Sequence, residues 1–455
     1  MLDLEQAEGS ALLLPMSCSA TVHGWRDPIA RLKQQEAHRL AWLLPVRHSR
    51  MAQSPFAFFR GAAALMADDL GHAPHSGVEV QLCGDAHLLN FGFYASPERA
   101  LLFDLNDFDE TVRGPFEWDL KRLVCSVLIA AAALHLSPDD QHHIARRCAR
   151  AYRKAISHFA GQPRLEVWNR RIDIDVHLQG VEHQPFRRHL QTVIEQARHR
   201  DSRQAVAKLC TVDGAGVLQI RHNPPLIWRH ADMAPEPDER PLQERVQQAY
   251  GSYLASIRPE IQRLLSGFRL ADTASKAVGV GSVGTRCSIG LLLGPRPDDV
   301  LVLQSKQAEA SVYEPYATSP SPGHQGQRVV EGQRLMQTVS DPFLGWTTNA
   351  HGEHLYLRHF RDWKGAVDPS ALDAKGLEAY GELCALALSK THARSGDRLA
   401  IAAFIGEGSG FDKAMAAFAG QYQQQALGDY QLFREALHAG QLAVAGDRAE
   451  PVNGG

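Results

Sequence analysis

GVEVQLCGDAHLLNFG, residues 77–92, is the stretch from which the rest of the chain can be read. Val78, Val80 and Leu82 alternate with polar residues, the period-two pattern of a strand with one buried face. Cys83-Gly84-Asp85 therefore emerges at the strand's C-terminal end, and Asn90 follows Asp85 by five residues. The commonest use of Asp and Asn at such a point is to fill a turn, so the pair gains meaning only from its neighbours.

The next neighbour is FDLNDFDETVRGPFEWDLKRL, residues 103–123. ALLFDLND, 100–107, predicts a second short strand ending on Asp107. The run from Phe116 to about Leu136 predicts a largely buried helix, with Asp119 in its first turn and twelve residues after Asp107. Asp104 is a rival to Asp107, and the spacing to Asp119 favours Asp107. Helices are also expected between 30 and 75, broken near Ser54-Pro55, at 139–159, at about 327–339 and from about 370 to 438. The basic residues of the 139–159 helix, Arg146, Arg147, Arg150, Arg153 and Lys154, read as a solvated face.

A third segment is Gly279-Val-Gly281-Ser-Val-Gly284, a G-x-G-x-x-G pattern. A dinucleotide-binding turn would lead into a helix. Here TRCSIGLLLG follows, which reads as a strand, then a Gly-Pro-Arg-Pro-Asp-Asp turn and a returning strand with Lys306 near its end. A further strand is expected at 354–360. Glu331, on the helix after this hairpin, and Glu314, closer in sequence, are two candidate partners for Lys306. Arg60 in SPFAFFRGAA, Arg286 beside the glycine loop and Arg394 in THARSGD are candidates for bidentate contact with phosphate oxygens.

These segments resemble the catalytic parts of protein kinases and of the aminoglycoside and choline phosphotransferases. Gly84, Asp85, His87 and Asn90 match the pattern H-G-D-x-H-x-x-N, with Cys83 in place of the first His. Asp107-Phe108-Asp109 stands where the family has Asp-Phe-Gly, with Asp109 replacing the Gly. The resemblance implies that Asp85 accepts the proton of the attacking hydroxyl, that Asn90 and Asp107 ligate Mg²⁺, and that Asp119 braces the catalytic loop. It also implies that Gly279, Gly281 and Gly284 cover the phosphates of ATP and that Lys306 contacts them. The glycine loop follows the catalytic loop, the reverse of the usual order, yet the parts join cyclically. The fold class implied is α+β: a two-lobed, circularly permuted kinase-like fold with a helix-rich large lobe and a small β-rich lobe. The expected divisions are 1–265 for the large lobe, 266–365 for the nucleotide-binding lobe, 366–440 for helices returning to the large lobe and 441–455 for a flexible tail. FFRGAA, CGDAHLLNFG, FDLNDFDET, VGVGSVGTR, GQRLMQ and HARSGD together resemble the bacterial domain of unknown function 2252 family over almost the whole chain.

The residue types suit the chemistry implied. ATP carries several negative charges, and hard Mg²⁺ neutralises them through oxygen ligands from one or two carboxylates or amides. A separate carboxylate is needed to hold the nucleophile in line. The expected activity is ATP- and Mg²⁺-dependent phosphoryl transfer to a small-molecule hydroxyl. The alternatives are a nucleotide-binding protein without turnover, adenylyl transfer in the same cleft, and a metal-dependent hydrolase using Asp85 and His87.

Composition bounds the rest. The 455 residues are 44% hydrophobic and 22% charged, with a formal net charge of -3. Nothing in that balance points to nucleic acid or an acidic membrane. Seven dispersed cysteines without a Cys-x-x-Cys pair argue for a reducing compartment. The longest apolar run, Val124 to Leu136, falls short of the roughly 20 residues of a membrane span. An acidic start, MLDLEQAE, lacks the basic residues of a secretory signal. A cytoplasmic protein is expected, with a nucleotide and an unidentified acceptor as its ligands.

Overall fold

The structure, a computed structural model, describes residues 26–445 apart from 225, 234–241, 277–283, 320 and 361. In chain order the larger elements begin with helices α1 (Pro28–Glu36), α2 (Leu44–Met51), α3 (Pro55–Gly61) and α4 (Ala63–Gly71). Two short ribbons follow, from β1 (Glu79–Leu82), β2 (Phe91–Ala95), β3 (Leu101–Leu105) and β4 (Val112–Pro115). Then come α5 (Glu117–Ala133), α6 (Pro138–Ala160), α7 (Arg164–Asn169), α8 (Ile174–Gln179), α9 (Gln184–Arg198) and α10 (Ser202–Leu209). Strands β5 (Cys210–Val212), β6 (Leu218–Ile220) and β7 (Ile227–Arg229) precede α11 (Leu242–Ser256) and α12 (Pro259–Leu265). The hairpin region supplies β8 (Arg269–Lys276), β9 (Cys287–Leu293) and β10 (Val300–Gln307), then α13 (Gln325–Met336), β11 (Gly345–Thr348) and β12 (His354–His359). The chain closes with α14 (Ala374–Ser395), α15 (Arg398–Ile405) and α16 (Gly410–His438).

The chain is thus α+β and mostly helical. Its largest sheet is antiparallel, in the order β11-β12-β10-β9-β8-β7. Along β9 and β10 the buried residues divide by face. Ile289, Leu291 and Val302 pack with Ala205, Cys210 and Ile227, whereas Leu292, Leu301 and Leu303 pack with Tyr253, Ile257, Ile261 and Leu265. That is the two-sided alternation of a covered sheet. Helices α10, α11 and α12 pack against this sheet, and β7 is one of its outer strands. Strands β7 and β11 escaped the sequence reading because Ile-Trp-Arg and Gly-Trp-Thr-Thr do not alternate apolar with polar residues.

The helical body centres on α5, α6, α14 and α16. Helix α5 is buried over most of its length, from Glu117 to Ala131. Local chemistry starts these helices where the sequence says it should. Ser54 accepts from the Ala57 N–H at 3.0 Å with Pro55 in the first turn of α3. Asp373 caps α14 by accepting from the Gly376 N–H at 2.7 Å. The six described cysteines are buried free thiols. No helix among the described residues is long and apolar enough to cross a membrane.

Candidate functional site

Strands β1 and β3, which carry the two acidic segments, are not neighbours in one sheet. β1 pairs with β4, and β2 pairs with β3. The β2–β3 ladder is carried one step further by the Asn106 N–H donating to the Asn90 carbonyl at 2.8 Å. That pairing sets the Asp85–Asn90 loop, which leads into β2, beside the Asp107 segment, which leaves β3.

The loop itself is held from behind. The Asp119 carboxylate, in the first turn of α5, accepts from the Cys83 N–H at 2.7 Å and the Gly84 N–H at 3.0 Å. His392 on α14 approaches the same carboxylate at 3.4 Å and meets the Tyr152 hydroxyl at 2.7 Å with its other ring nitrogen. Gly84 has a φ of 81°, and a Cβ there would lie 2.2 Å from the Glu110 carbonyl oxygen. Only glycine takes that backbone without strain, and its absence of side chain lets the 109–111 segment cross directly over the loop.

Asp85 is one-fifth exposed and paired with the nearly buried Arg122 at 2.9 Å. Arg122 also donates to the Phe59 carbonyl at 2.6 Å and lies 3.8 Å over the Phe59 ring. Burial still pushes the Asp85 carboxyl above its ordinary range, against the pull of Arg122. The sequence reading missed Arg122. Its signal was an arginine in a buried helix, three residues beyond Asp119 and so on the same face. The Asn90 Nδ2 donates to the Asp85 carbonyl at 2.7 Å, which leaves its amide oxygen free to accept.

Across the cleft, Lys306 and Tyr356 are directly opposed on β10 and β12. The Lys306 ammonium is 2.5 Å from Asp109 and 3.8 Å from Asp107. The Tyr356 hydroxyl donates to the other oxygen of Asp109 at 2.6 Å. Burial disfavours the ammonium, but Asp107 and Asp109 outweigh it and raise the Lys306 pKa. Burial also acts on both carboxyls: it lifts Asp107, while Lys306 and Tyr356 bring Asp109 below its usual range. Next along the chain, burial raises Glu110 to about 7. From α13, Arg328 donates to the carbonyls of Asp109 and Thr111, at 2.8 and 2.5 Å, and fastens this segment.

The glutamate expectation is corrected here. Glu331 is exposed and accepts from Gln327 on its own helix at 2.7 Å. Glu314 sits in a short 3₁₀ turn. Lys306 is met by Asp109 instead. Asp104, the rival ligand, is buried in an ion pair with Lys390 and is unavailable to a cation in the cleft. Arg286 is half exposed and pairs with Glu353 at 2.9 Å. Arg394 stacks 3.9 Å from the Trp168 ring and lines a separate cleft of about 800 Å³ at the start of β1, together with Glu79, Arg113 and Arg398. Gly284 has a φ of 96°, and its carbonyl accepts from the Leu40 N–H at 2.8 Å. Gly279 and Gly281 lie outside the described residues.

A cavity of about 50 Å³ remains at the centre. It is lined by Asp85, Asn90, Asp107, Asp109 and Glu110 together with Gln35, Arg39 and Arg60. Among the described residues no three His, Cys, Asp or Glu side chains form a metal cluster. Mg²⁺ asks for less, being bound through one or two protein oxygens with phosphate and water completing its shell. The free amide oxygen of Asn90 and the carboxylate of Asp107 fit that requirement. The cavity has room for an ion and a phosphoryl group, so a nucleoside would have to sit outside it.

A family model described as "Uncharacterized protein conserved in bacteria (DUF2252)" matches residues 39–436. The chain belongs to that family. No curated protein and no solved structure gives a match.

Proposed function

We propose that this member of the family is an ATP- and Mg²⁺-dependent phosphotransferase of kinase-like, two-lobed and circularly permuted architecture, acting on a small-molecule hydroxyl. The observation that carries the reading is the meeting of Lys306 with the Asp107–Asp109 segment, across nearly two hundred residues of sequence. A strand lysine facing a strand-end aspartate, beside an Asp–Asn loop braced by a helix aspartate, is the arrangement that phosphoryl transfer needs.

Under this reading Asn90 and Asp107 hold Mg²⁺, which supplies charge neutralisation at the phosphates. Asp85 orients the acceptor hydroxyl and takes its proton, and its raised pKa suits that task. Lys306 exchanges Asp109 for a phosphate oxygen when nucleotide enters. Asp109, held by Tyr356, keeps the ammonium paired until then. The His87 ring has an unpartnered, buried Nδ1, and burial drives its pKa down, so it supports the loop as a neutral side chain.

The test is ATP turnover and Mg²⁺-dependent nucleotide binding in wild type, Asp85→Asn and Asp107→Ala. The reading expects Asp85→Asn to bind nucleotide without turnover and Asp107→Ala to lose Mg²⁺-dependent binding. Release of AMP-linked product in place of ADP would identify adenylyl transfer in the same cleft.

A further inference from the structure

The cleft at the start of β1, about 800 Å³ in volume, shares no lining residue with the central cavity. Four arginines from four elements line it: Arg113 on β4, Arg164 at the start of α7, Arg394 at the end of α14 and Arg398 at the start of α15. The carboxylates beside them are Glu79 and Asp397, and both are engaged. Asp397 caps α15, accepting from the Leu399 and Ala400 N–H groups at 2.9 and 3.1 Å. Glu79 accepts from the Thr318 hydroxyl and reaches Arg113 only at 3.7 Å. Four guanidiniums against two carboxylates leave this cleft positive, in a chain whose formal net charge is -3.

Two of the arginines are fixed by neutral groups, so their positions are set while their charge stays unmatched. The buried Arg394 donates to the carbonyls of Leu335 and Gln337, at 3.2 and 3.3 Å, and to that of Trp168. Arg398 donates to the carbonyls of Phe159 and Gln162, each at 2.9 Å, and its Nη1 has no partner among the described residues. Arg164 is exposed and forms no ion pair among the described residues. Arg328, also held by carbonyls, fastens the Asp109–Thr111 segment and lines neither cavity. Cations converging on one concave wall attract an anion, and the guanidinium fork matches the oxygens of a phosphate or carboxylate.

The same cleft carries apolar surface. Trp168 and Leu399 line it and are 44% and 58% exposed. The Arg394 guanidinium covers part of the Trp168 ring at 3.9 Å, and the exposed remainder of the indole can stack with a second flat group. A cleft of this volume suits a small organic ligand, which the central cavity of about 50 Å³ does not. We propose that it is a second binding site, for a small aromatic anion whose ring lies against Trp168 and whose phosphate or carboxylate meets the arginines. Strand β1 runs between the two sites, about 13 Å at the rise of a strand. The proposal therefore stands apart from the phosphotransferase reading and does not depend on it.

The experiment is isothermal titration calorimetry of the full chain with phenyl phosphate, benzoate, inorganic phosphate and phenol. The variants are the double change Arg113→Gln with Arg164→Gln, Trp168→Ala, Trp168→Phe and, in the central site, Lys306→Met. Wild type is expected to bind phenyl phosphate, benzoate or both at a single site, and the tighter of the two identifies the anionic group. Inorganic phosphate binds at least fivefold more weakly, and phenol does not bind. Affinity for the aromatic anion falls at least tenfold in the arginine double variant and at least fivefold in Trp168→Ala. It is unchanged in Lys306→Met. Trp168→Phe keeps a ring against Arg394 and recovers most of the loss, which separates ring stacking from a general failure of the alanine variant to fold. No saturable binding of either aromatic anion overturns the proposal, as does binding that survives the arginine or the Trp168→Ala change. Inorganic phosphate bound as tightly as phenyl phosphate, or phenol bound as tightly as either anion, overturns the ligand class. Affinity lost in Lys306→Met and kept in the arginine variant places the anion in the central cavity and overturns the second site.

Discussion

Lys306 and Asp109 meet at 2.5 Å between a strand of the large sheet and the segment that follows β3. The same aspartate accepts from Tyr356, the cross-strand neighbour of Lys306. Asp107 lies 3.8 Å from the same ammonium, and under the phosphotransferase reading a nucleotide phosphate competes with Asp109 for it.

Asp109→Asn therefore separates stability from binding. The carboxylate is about 30% exposed, which places its loss below the 3–5 kcal/mol of a fully buried pair. A destabilisation of about 1–2 kcal/mol is expected. The Mg²⁺–ATP-induced rise in melting temperature should be equal to or larger than that of wild type, because Lys306 is released. Lys306→Met should remove that rise. Denaturant melts with and without nucleotide read both.

Asp119 is predicted to be the structural keystone of the loop. Asp119→Ala leaves the Cys83 and Gly84 N–H groups buried without an acceptor, at a cost of about 1–3 kcal/mol for each group left unsatisfied. Urea denaturation should show a loss of about 2–6 kcal/mol. An unchanged midpoint would mean the brace contributes nothing.

Gly84→Ala tests the crossing of the two segments. The residue needs φ of 81° and has no room for a methyl group under the Glu110 carbonyl. A loss of about 3 kcal/mol or more is expected, from left-handed backbone and displaced main chain together. Circular dichroism melts of the variant check it.

Much of this site could be read from residues close together in sequence. The alternation of Val78, Val80 and Leu82 announced β1, and the spacing of Asp85, Asn90, Asp107 and Asp119 announced a shared acidic centre, because each signal spans a few turns of one chain segment. The partner of Lys306 could not be read that way. Asp109 lies 197 residues away, and no local pattern distinguishes it from Glu314 or Glu331. The sheet's outer strands β7 and β11 were hidden by their lack of apolar–polar alternation, and the packing of α11 and α12 on the sheet by its dependence on apolar residues scattered over both segments. Arg60 was legible as an arginine among aromatics; its place in the lining of the cavity that holds Asp85 became visible only with its neighbours in three dimensions.

Glu110 gives the site a pH signature. Its folded pKa of about 7 lies above the ordinary value near 4.3, so the folded state holds the proton more tightly than the unfolded one. The contribution is fully present below about pH 4, and stability falls as pH rises toward and through 7. With partial exposure taken into account, the change is about 1–2 kcal/mol. Glu110→Gln, which keeps an acceptor for the Val312 N–H, should flatten this slope. Melting temperatures from pH 5 to 8 for both proteins measure it.

The central claim is that Asp107 and Lys306 face each other to receive magnesium and nucleotide, and a thermal-shift titration with ATP tests it most directly. The titration is run with and without Mg²⁺ on wild type and Asp107→Ala. A ligand that binds only the folded chain must raise its melting temperature, by an amount that grows with concentration over the dissociation constant. The account predicts a Mg²⁺-dependent, saturable rise in wild type that disappears in Asp107→Ala. No rise with ATP and Mg²⁺, or a rise of equal size in the variant, would contradict it.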